Sequence, residues 1–595
     1  MNNEIKTYSF DKNGLKQVQD AQKGKNWPVV YLIHDDRNLY IGETTSVSTR
    51  MSQHLKNKEK QHLKMIEIVF DGRFNKSVVL DYEQRLIKCC TTDTRFKTVL
   101  NRNKGQQSAH DYYNRDYYRK QFGSLWKELQ INGLAKKSLD LIENDNIFKF
   151  SPYNSLTGEQ NEVSVSILND IIDTFESKSS GVSLINGCAG TGKTVLAIST
   201  INALVNAVNV DFDTIPDEYD DFDGIEESKK EALLRVKKHI NKQRNGKPFK
   251  IGIVFPMPGI RKTVSRVFKE CGNGLIKEMV IGPTDVVKES YDILFVDESH
   301  RLSKRKNLTG FGSFDETSKK LGLDPDNTNQ LEWILKSAKH VVLFYDAYQS
   351  VKSSDITNKE YMDSLKRYGQ NIKQHSLQTQ MRCEGGDSYI NYIKDIMNCR
   401  RETYEKMENY DFLLFDDVNL LVEVVRNKDD LVGLSKTVAG FSWKWKTKQK
   451  NKPKDNLDVY DYLVKSGEYD ILIEGNRYIW NLTNEDWITR KDSHYTIGCI
   501  HTTQGYDMNY VGVIFGEEID YDPQTNSIVI NLDKYMDTKV KANTDPAILK
   551  ELILNTYSTI LSRGIKGCYV YACNKNMKEY LKQFIAPANS TTLGG

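Results

Sequence analysis

At 595 residues the chain is too long for one hydrophobic core, so two to four domains are expected. Hydrophobic residues make up 39% and charged residues 27%, the balance of a soluble globular protein. No apolar run approaches the roughly 20 residues of a membrane span, so no membrane partner is expected. Net charge is only +3, yet residues 1–150 carry 26 Lys and Arg against 18 Asp and Glu. A basic N-terminal module on a mildly acidic body suits a nucleic-acid contact in the first segment. The nine cysteines are scattered with no C-x-x-C pair. That pattern argues for free thiols in a reducing compartment and against structural zinc. The stretch "MNNEIKTYSF" has no apolar core for a signal peptide, and the expected location is cytoplasmic.

A first α/β unit is expected over residues 1–105. Its segment "VYLIHDDRNLYIGETTSVSTRMSQHL", residues 30–55, reads as strand, turn, strand and helix, with Ser46 as the helix N-cap. Tyr31 and Tyr40 fall on the two strands. Arg50 and His54 stand four apart on the helix and share a face, beside an apolar stripe of Val47, Met51 and Leu55. The helix "VVLDYEQRLIKCC" marks a buried face with Leu80, Ile87 and Cys90, and Glu83 sits on that face. A carboxylate there costs several kcal/mol unless it is paired or holds a metal, and a divalent ion would remove that cost. Residues 106–150 read as a helical connector. Its aromatics recur near helical spacing among Arg115, Arg119 and Lys120, as an amphipathic packing helix or a base-stacking one would have them.

From 151 onward, apolar runs such as "GVSLING", "KIGIVFP", "YDILFVDE", "HVVLFYD", "VGVIFG" and "GCYVYAC" alternate with helical stretches. Such continuous apolar strands belong to parallel sheets covered on both faces, and this length suffices for two of them. The acidic stretch 211–223 and the Lys-rich "WKWKTKQKNKPK" at 443–454 interrupt the pattern as exposed insertions, the second a candidate for phosphate contact. "GCAGTGKT" at 187–194 fits the phosphate-binding loop G-x-x-x-x-G-K-[ST]. Gly187, Gly190 and Gly192 let backbone N–H groups close around phosphate, Lys193 reaches the β- and γ-phosphates, and the Thr194 hydroxyl can ligate Mg²⁺. In "YDILFVDESHR" an apolar strand ends in Asp297, placed to bind Mg²⁺ through water, and Glu298, placed to orient or deprotonate the attacking water.

Taken together, these strings resemble a Schlafen-like superfamily-1 DNA/RNA helicase. The resemblance implies an α/β fold of two RecA-like lobes, at 151–370 and 371–585, followed by a tail at 586–595, with ATP and Mg²⁺ as cofactors. "LTGEQ" resembles the motif whose Gln, here Gln160, reads adenine. "DAYQS" places Asp346 and Gln349 as γ-phosphate sensors. "LQTQMRCEGG" supplies Arg382, "HTTQGYDMNYVGVIFG" supplies Gln504 and Gly505, and "LSRGIKG" supplies Arg563. Asp507 departs from the Glu usual there. Arginines from the second lobe would complete an ATP site opened by the first, neutralising charge spread over three phosphoryl oxygens.

The first module in turn resembles the GIY-YIG nucleases. Tyr31 falls at the first motif's Tyr and Tyr40 with Gly42 at the second, while Val29 and Val30 replace the usual Gly and Ile. The resemblance makes Glu83 the ligand of Mg²⁺ or Mn²⁺ and Asn101 its supporting Asn. Arg50 would neutralise phosphorane charge. Tyr31 would be the base, its pKa drawn down by positive charge, with Tyr40 or His54 assisting, or His54 would itself be the base. The expected protein is an endonuclease coupled to an ATP-driven motor on DNA, in bacterial defence against phage or other foreign DNA. The rival is an ATP-dependent sensor that switches the nuclease without unwinding, with RNA open as target. Double-strand cutting would need dimerisation or two sequential nicks, and a homo-oligomer or a defence-system partner protein is the partner expected besides nucleic acid.

Overall fold

A computed structural model describes residues 4–20, 26–101, 112–143, 145–152, 154, 156–188, 190–209, 227–244, 249–271, 274–308, 310–346, 349, 353–369, 371–380, 383–448, 456–482, 487–503, 506–541 and 544–589. The acidic stretch 211–223 and Arg382, Gln504 and Gly505 lie outside the described residues. The chain divides into two compact units. One comprises residues 1–178, 194–249 and 263–279, and the other comprises 179–193, 250–262 and 280–595.

The first unit opens with β1 (Glu4–Ser9), α1 (Lys12–Asp20), β2 (Val29–His34), β3 (Asn38–Thr44), α2 (Val47–Lys56), β4 (Met65–Phe70), α3 (Lys76–Asp93) and β5 (Thr98–Val99). The strands form one sheet in the order β1-β4-β2-β3-β5. β2 and β3 pair antiparallel through the short turn between them, with Tyr31 opposite Gly42. Alternation sends Val30 and Leu32 into one core with Val79, Tyr82, Leu86 and Ile87 of α3. Tyr31 and Ile33 join Val47 and Met51 of α2 in the core on the other face. α4 (Arg115–Ile131) is a packing helix: Tyr118, Phe122, Leu125, Trp126 and Leu129 extend the α3 core.

Ser46 stands at the N-cap of α2 but its side chain makes no cap hydrogen bond. Its hydroxyl pairs with Thr49 Oγ1 at 2.9 Å instead. The serine's preference for the position therefore places the helix start without supplying the expected bond. A helix at Gly158–Ser177, also in this unit, is closed by a reciprocal capping box of Thr157 and Gln160.

The second unit holds two parallel sheets. The first contains β6 (Gly181–Gly187), β7 (Ile251–Val254), β8 (Val280–Ile281), β9 (Tyr291–Val296), β10 (Ala338–Tyr345) and β11 (Ile372–Leu377), in the order β11-β6-β10-β9-β7-β8. β9 is buried at all six positions, as a central strand covered on both faces must be. Helices Phe311–Lys320, Gln330–Ser337 and Asn358–Tyr368 supply Phe314, Trp333, Ile334 and Tyr361 to one of those faces.

The second sheet uses β12 (Asp411–Leu414), β13 (Lys436–Ala439), β16 (Met508–Phe515), β19 (Gly564–Ala572) and β20 (Ala586–Pro587), in the order β13-β16-β19-β12-β20. Hairpins β14 (Ile471–Ile473) with β15 (Asn476–Tyr478), and β17 (Ile519–Asp522) with β18 (Ser527–Ile530), stand beside it. Residues 372–377 thus belong to the first sheet and 586–587 to the second, past the boundaries expected at 370 and 585. No helix of the described residues is long and apolar enough to cross a membrane.

Candidate functional site

In the N-terminal module the antiparallel β2–β3 pair and α2 bring four of the expected residues together. Tyr31 Oη lies 2.8 Å from His54 Nε2. The Tyr31 and Tyr40 ring centroids are 6.3 Å apart, and the Tyr40 and His54 rings meet edge-on at 4.9 Å. Tyr31 is 1% exposed and His54 2%, while Arg50 and Tyr40 remain half-buried. Gly42 is required by this packing, because a Cβ there would enter the Tyr31 ring from the opposite strand. Asn101 is buried and bonds both ways to Ile41: its Oδ1 accepts from Ile41 N at 3.1 Å and its Nδ2 donates to Ile41 O at 2.6 Å. It therefore locks β3 one residue from Tyr40.

Electrostatically, burial favours the neutral forms of Tyr31, His54 and Glu83 beside the cations of Arg50 and Lys60. Burial pushes the Tyr31 hydroxyl well above the usual phenol range, Tyr40 adds to that, and Arg50 pulls the other way without overcoming it. The expected lowering of Tyr31 by positive charge is thus outweighed by desolvation. Burial, with Lys60 and Arg50, drives His54 down to about 2, so its ring is neutral at physiological pH. Glu83, half-buried on α3, is pushed up to about 8 by burial and by Glu43, against the pull of Lys76, Arg50 and Lys60. Glu43 pairs with Lys76 at 2.7 Å.

A carboxylate raised this way is the donor a divalent cation would relieve, so the residues fit a metal ion. Among the described residues no group of three or more His, Cys, Asp or Glu is assembled. A cation held at Glu83 would therefore take most of its ligands from water, which suits Mg²⁺. Sequence reasoning did not find Lys60, whose ammonium lies 3.1 Å from His54 Nδ1 and 3.5 Å from the Tyr40 ring centroid. It did not find Glu43 either.

In the second unit, β6 delivers the phosphate loop. Gly190 and Gly192 take φ of +86° and +76°, a region that side chains disfavour. A Cβ at Gly190 would also strike the Gln380 side chain, and one at Gly187 would press on Thr191. Lys193 Nζ donates to Gly187 O at 2.6 Å and Cys188 O at 2.8 Å, and lies 3.6 Å from Asp346 Oδ2. Thr194 follows it as the second residue of the helix Lys193–Asn209.

At the end of β9, Asp297 is fully buried and its Oδ1 accepts from Glu298 N at 3.0 Å. Glu298 holds φ +51°, a strained conformation for a non-glycine residue, and its carboxylate pairs with His300 at 2.9 Å. Burial raises Glu298, but His300, Lys193 and Arg563 outweigh it and hold the carboxyl below its ordinary range. Gln349 Nε2 donates to Asp346 Oδ2 at 2.6 Å, and its Oε1 accepts from Arg563 Nη2 at 3.4 Å. Arg563, 3% exposed, also lies 3.8 Å from Asp507.

A cleft is lined by Cys188, Asp346 and Gln349 from the first sheet's side and by Lys394, Thr559 and Ser562 among others from the second. Lys394 Nζ reaches to 3.6 Å from Cys188 Sγ, a second-lobe cation over the phosphate loop that the sequence did not mark. Gln160, expected to read adenine, uses its Oε1 to accept from Thr157 N at 3.1 Å.

Of the Lys-rich insertion, residues 443–448 are described. Lys444, Lys446 and Lys448 are exposed, Trp443 and Trp445 half-buried and Thr447 buried. Asp470 accepts from Lys446 N at 2.6 Å, Thr447 N at 2.8 Å and Thr447 Oγ1 at 2.6 Å, which fixes the segment. Lys448 lies over the Trp445 ring, and Lys446 and Arg477 over that of Tyr469.

Comparison with known proteins agrees with both halves. Residues 28–92 match the GIY-YIG catalytic domain, and residues 180–574 match the Schlafen group 3 DNA/RNA helicase domain. An uncharacterized protein of Saccharomyces cerevisiae is 25% identical over 321 residues, covering 49% of this chain and 64% of that protein, so the match spans less than two thirds of the relative. Among solved structures, the Candida albicans Pif1 helicase is 12% identical, over 72% of this chain and 99% of that one, with a TM-score of 0.25. The Bacteroides Pif1 helicase in complex with ADP-AlF3 and ssDNA is 12% identical, over 69% and 93%, also with a TM-score of 0.25. With about two thirds of its length matched by one family, the chain belongs to the Schlafen group 3 DNA/RNA helicases and carries a GIY-YIG catalytic domain ahead of that region.

Proposed function

We propose that the protein is a metal-dependent endonuclease whose cutting of DNA is coupled to ATP hydrolysis by the helicase domain. The observation that carries the nuclease half is the convergence of Tyr31, Tyr40 and His54, with Tyr31 Oη 2.8 Å from His54 Nε2 and the Tyr40 and His54 ring centroids 4.9 Å apart. Arg50 is the cation that meets developing phosphorane charge. Tyr31, once ionised to the phenolate, takes the proton of the attacking water. It needs help to ionise, because burial holds it protonated in the isolated site. Glu83 would hold a divalent ion, which would supply Lewis-acid stabilisation of the charge that develops in phosphodiester hydrolysis. In the ATPase, Lys193, Thr194 and Asp297 are the residues that would hold the Mg²⁺–nucleotide, Glu298 orients water, and Asp346, Gln349 and Arg563 sense the γ-phosphate. Arg382, Gln504 and Gly505 keep their expected roles in this reading.

DNA is the proposed polynucleotide, and restriction of foreign DNA the proposed setting. The test is cleavage of single-stranded, duplex and forked DNA and RNA, with and without ATP. Glu83→Ala should abolish cutting and leave ATP turnover intact, while Lys193→Ala should abolish ATP turnover. A Glu83→Ala protein that cuts at the wild-type rate overturns the nuclease assignment. Preferential cutting of RNA overturns the choice of DNA.

A further inference from the structure

We infer that Lys60 is a positioning residue of the nuclease site: it fixes the tautomer of His54, so that the imidazole donates a hydrogen bond to Tyr31 and does not accept one. The purpose assigned to this arrangement rests on the nuclease reading above; the tautomer itself does not. Lys60 Nζ lies 3.1 Å from His54 Nδ1. An ammonium carries three N–H donors and no lone pair, so the bond can run only from lysine to ring, and Nδ1 must keep its lone pair. The ring is buried, and its neighbours with ionisable or charged groups are Tyr31, Tyr40, Lys60 and Arg50. Two of those are cations, which oppose a second proton. A neutral imidazole with Nδ1 unprotonated carries its proton on Nε2, and Nε2 is the atom 2.8 Å from Tyr31 Oη. The phenol oxygen therefore receives this hydrogen bond.

Three consequences follow for the chemistry. His54 has no lone pair free toward Tyr31, so it does not take the phenol proton and is not the base. The Tyr31 O–H proton is directed away from the ring. A phenolate at Tyr31, once formed, would be met by the Nε2–H donor and by Arg50, a charge-assisted arrangement. Lys60 is thus the source of an asymmetry that the helical spacing of Arg50 and His54 cannot create. The same ammonium stands 3.5 Å from the Tyr40 ring centroid, a cation–π contact that helps to hold it in place.

The test uses the full chain with ¹⁵N-labelled histidine, the His54 signal being identified by its loss in His54→Gln. Wild type should show the Nε2–H tautomer from pH 6 to 8. Lys60→Met should shift the population toward Nδ1–H, and Lys60→Arg should restore Nε2–H. A wild-type ring protonated at Nδ1, or an unchanged tautomer in Lys60→Met, overturns the inference. In cleavage assays Lys60→Met should lower kcat at least tenfold with KM little changed. The Lys60→Met/His54→Gln double variant should be no slower than His54→Gln alone, because Lys60 acts through the ring. Additive losses would instead make Lys60 independent of His54 and overturn the positioning role. Should the wild type cleave no polynucleotide, the nuclease reading fails while the tautomer measurement still decides this inference.

Discussion

His54 shows how burial at one residue sets the behaviour of the site. Its folded pKa of about 2 lies far below the ordinary 6.5, first through desolvation and then through Lys60 and Arg50. Between those values an unfolded chain binds a proton that the folded one refuses, so the module loses stability as pH falls below 6.5. The slope attributable to this group is at most about 1.4 kcal/mol per pH unit. Protection factors of the β2 amides, taken relative to the intrinsic exchange rate, should fall as pH is lowered from 6.5 to 5. His54→Gln should flatten that dependence, and an equally steep profile in the variant would assign the acid sensitivity to other groups. Asn101 acts at the same scale by a different route. Asn101→Ala would strand Ile41 N and O in a buried site, at a cost of about 1–3 kcal/mol for each group. The expected result is a less stable module with weakened cutting, measured against an ATPase rate that stays at the wild-type value.

Element by element, what was legible in the sequence is what periodicity and turn chemistry control. The β2–turn–β3–α2 order, the shared face of Arg50 and His54, and the sheltered position of Glu83 on α3 all follow from spacing within one element. The buried parallel strands of the second unit follow from their unbroken apolar runs. What spacing could not show are contacts made by side chains arriving from other segments. Lys60 comes from the loop after α2, and Glu43 meets Lys76 across 33 residues of sequence. Gln160 was a legible case read for another purpose: Thr157 with Gln160 three residues on is a capping-box spelling, and the structure uses it so. The Lys-rich insertion carries its own prediction. With Lys444, Lys446 and Lys448 exposed on a segment anchored by Asp470, each would neutralise one phosphate of a bound single strand. Replacing all three with Gln should reduce the slope of log K against log salt by about 2, at roughly 0.7 per contact. An unchanged slope would leave these lysines as a solvated surface.

For the molecule as a whole, the question is whether ATP turnover and strand cutting are one device or two. Arg563 is the residue on which a test can turn. It begins beside β19 of the second sheet, lies 3.4 Å from Gln349, and acts electrostatically on Glu298. Gln349 in turn holds Asp346, which neighbours Lys193. This chain of contacts ties a guanidinium of one sheet to the phosphate loop of the other, so hydrolysis should depend on both sheets together. Arg563→Ala should lower ATP turnover by a factor on the order of 10³ while nucleotide binding changes far less, since such an arginine acts mainly on transition-state charge. Its effect on cutting then separates the two readings. If the motor feeds strand to the nuclease, Arg563→Ala should lose strand displacement and ATP-stimulated cleavage together, leaving ATP-independent cleavage untouched. If the ATPase is a switch set by nucleotide occupancy, wild type should show no strand displacement, and Arg563→Ala with ATP bound should cut at the stimulated rate without turning over. Displacement and cleavage measured on one forked substrate, with ATP and with a non-hydrolysable analogue, distinguish these outcomes.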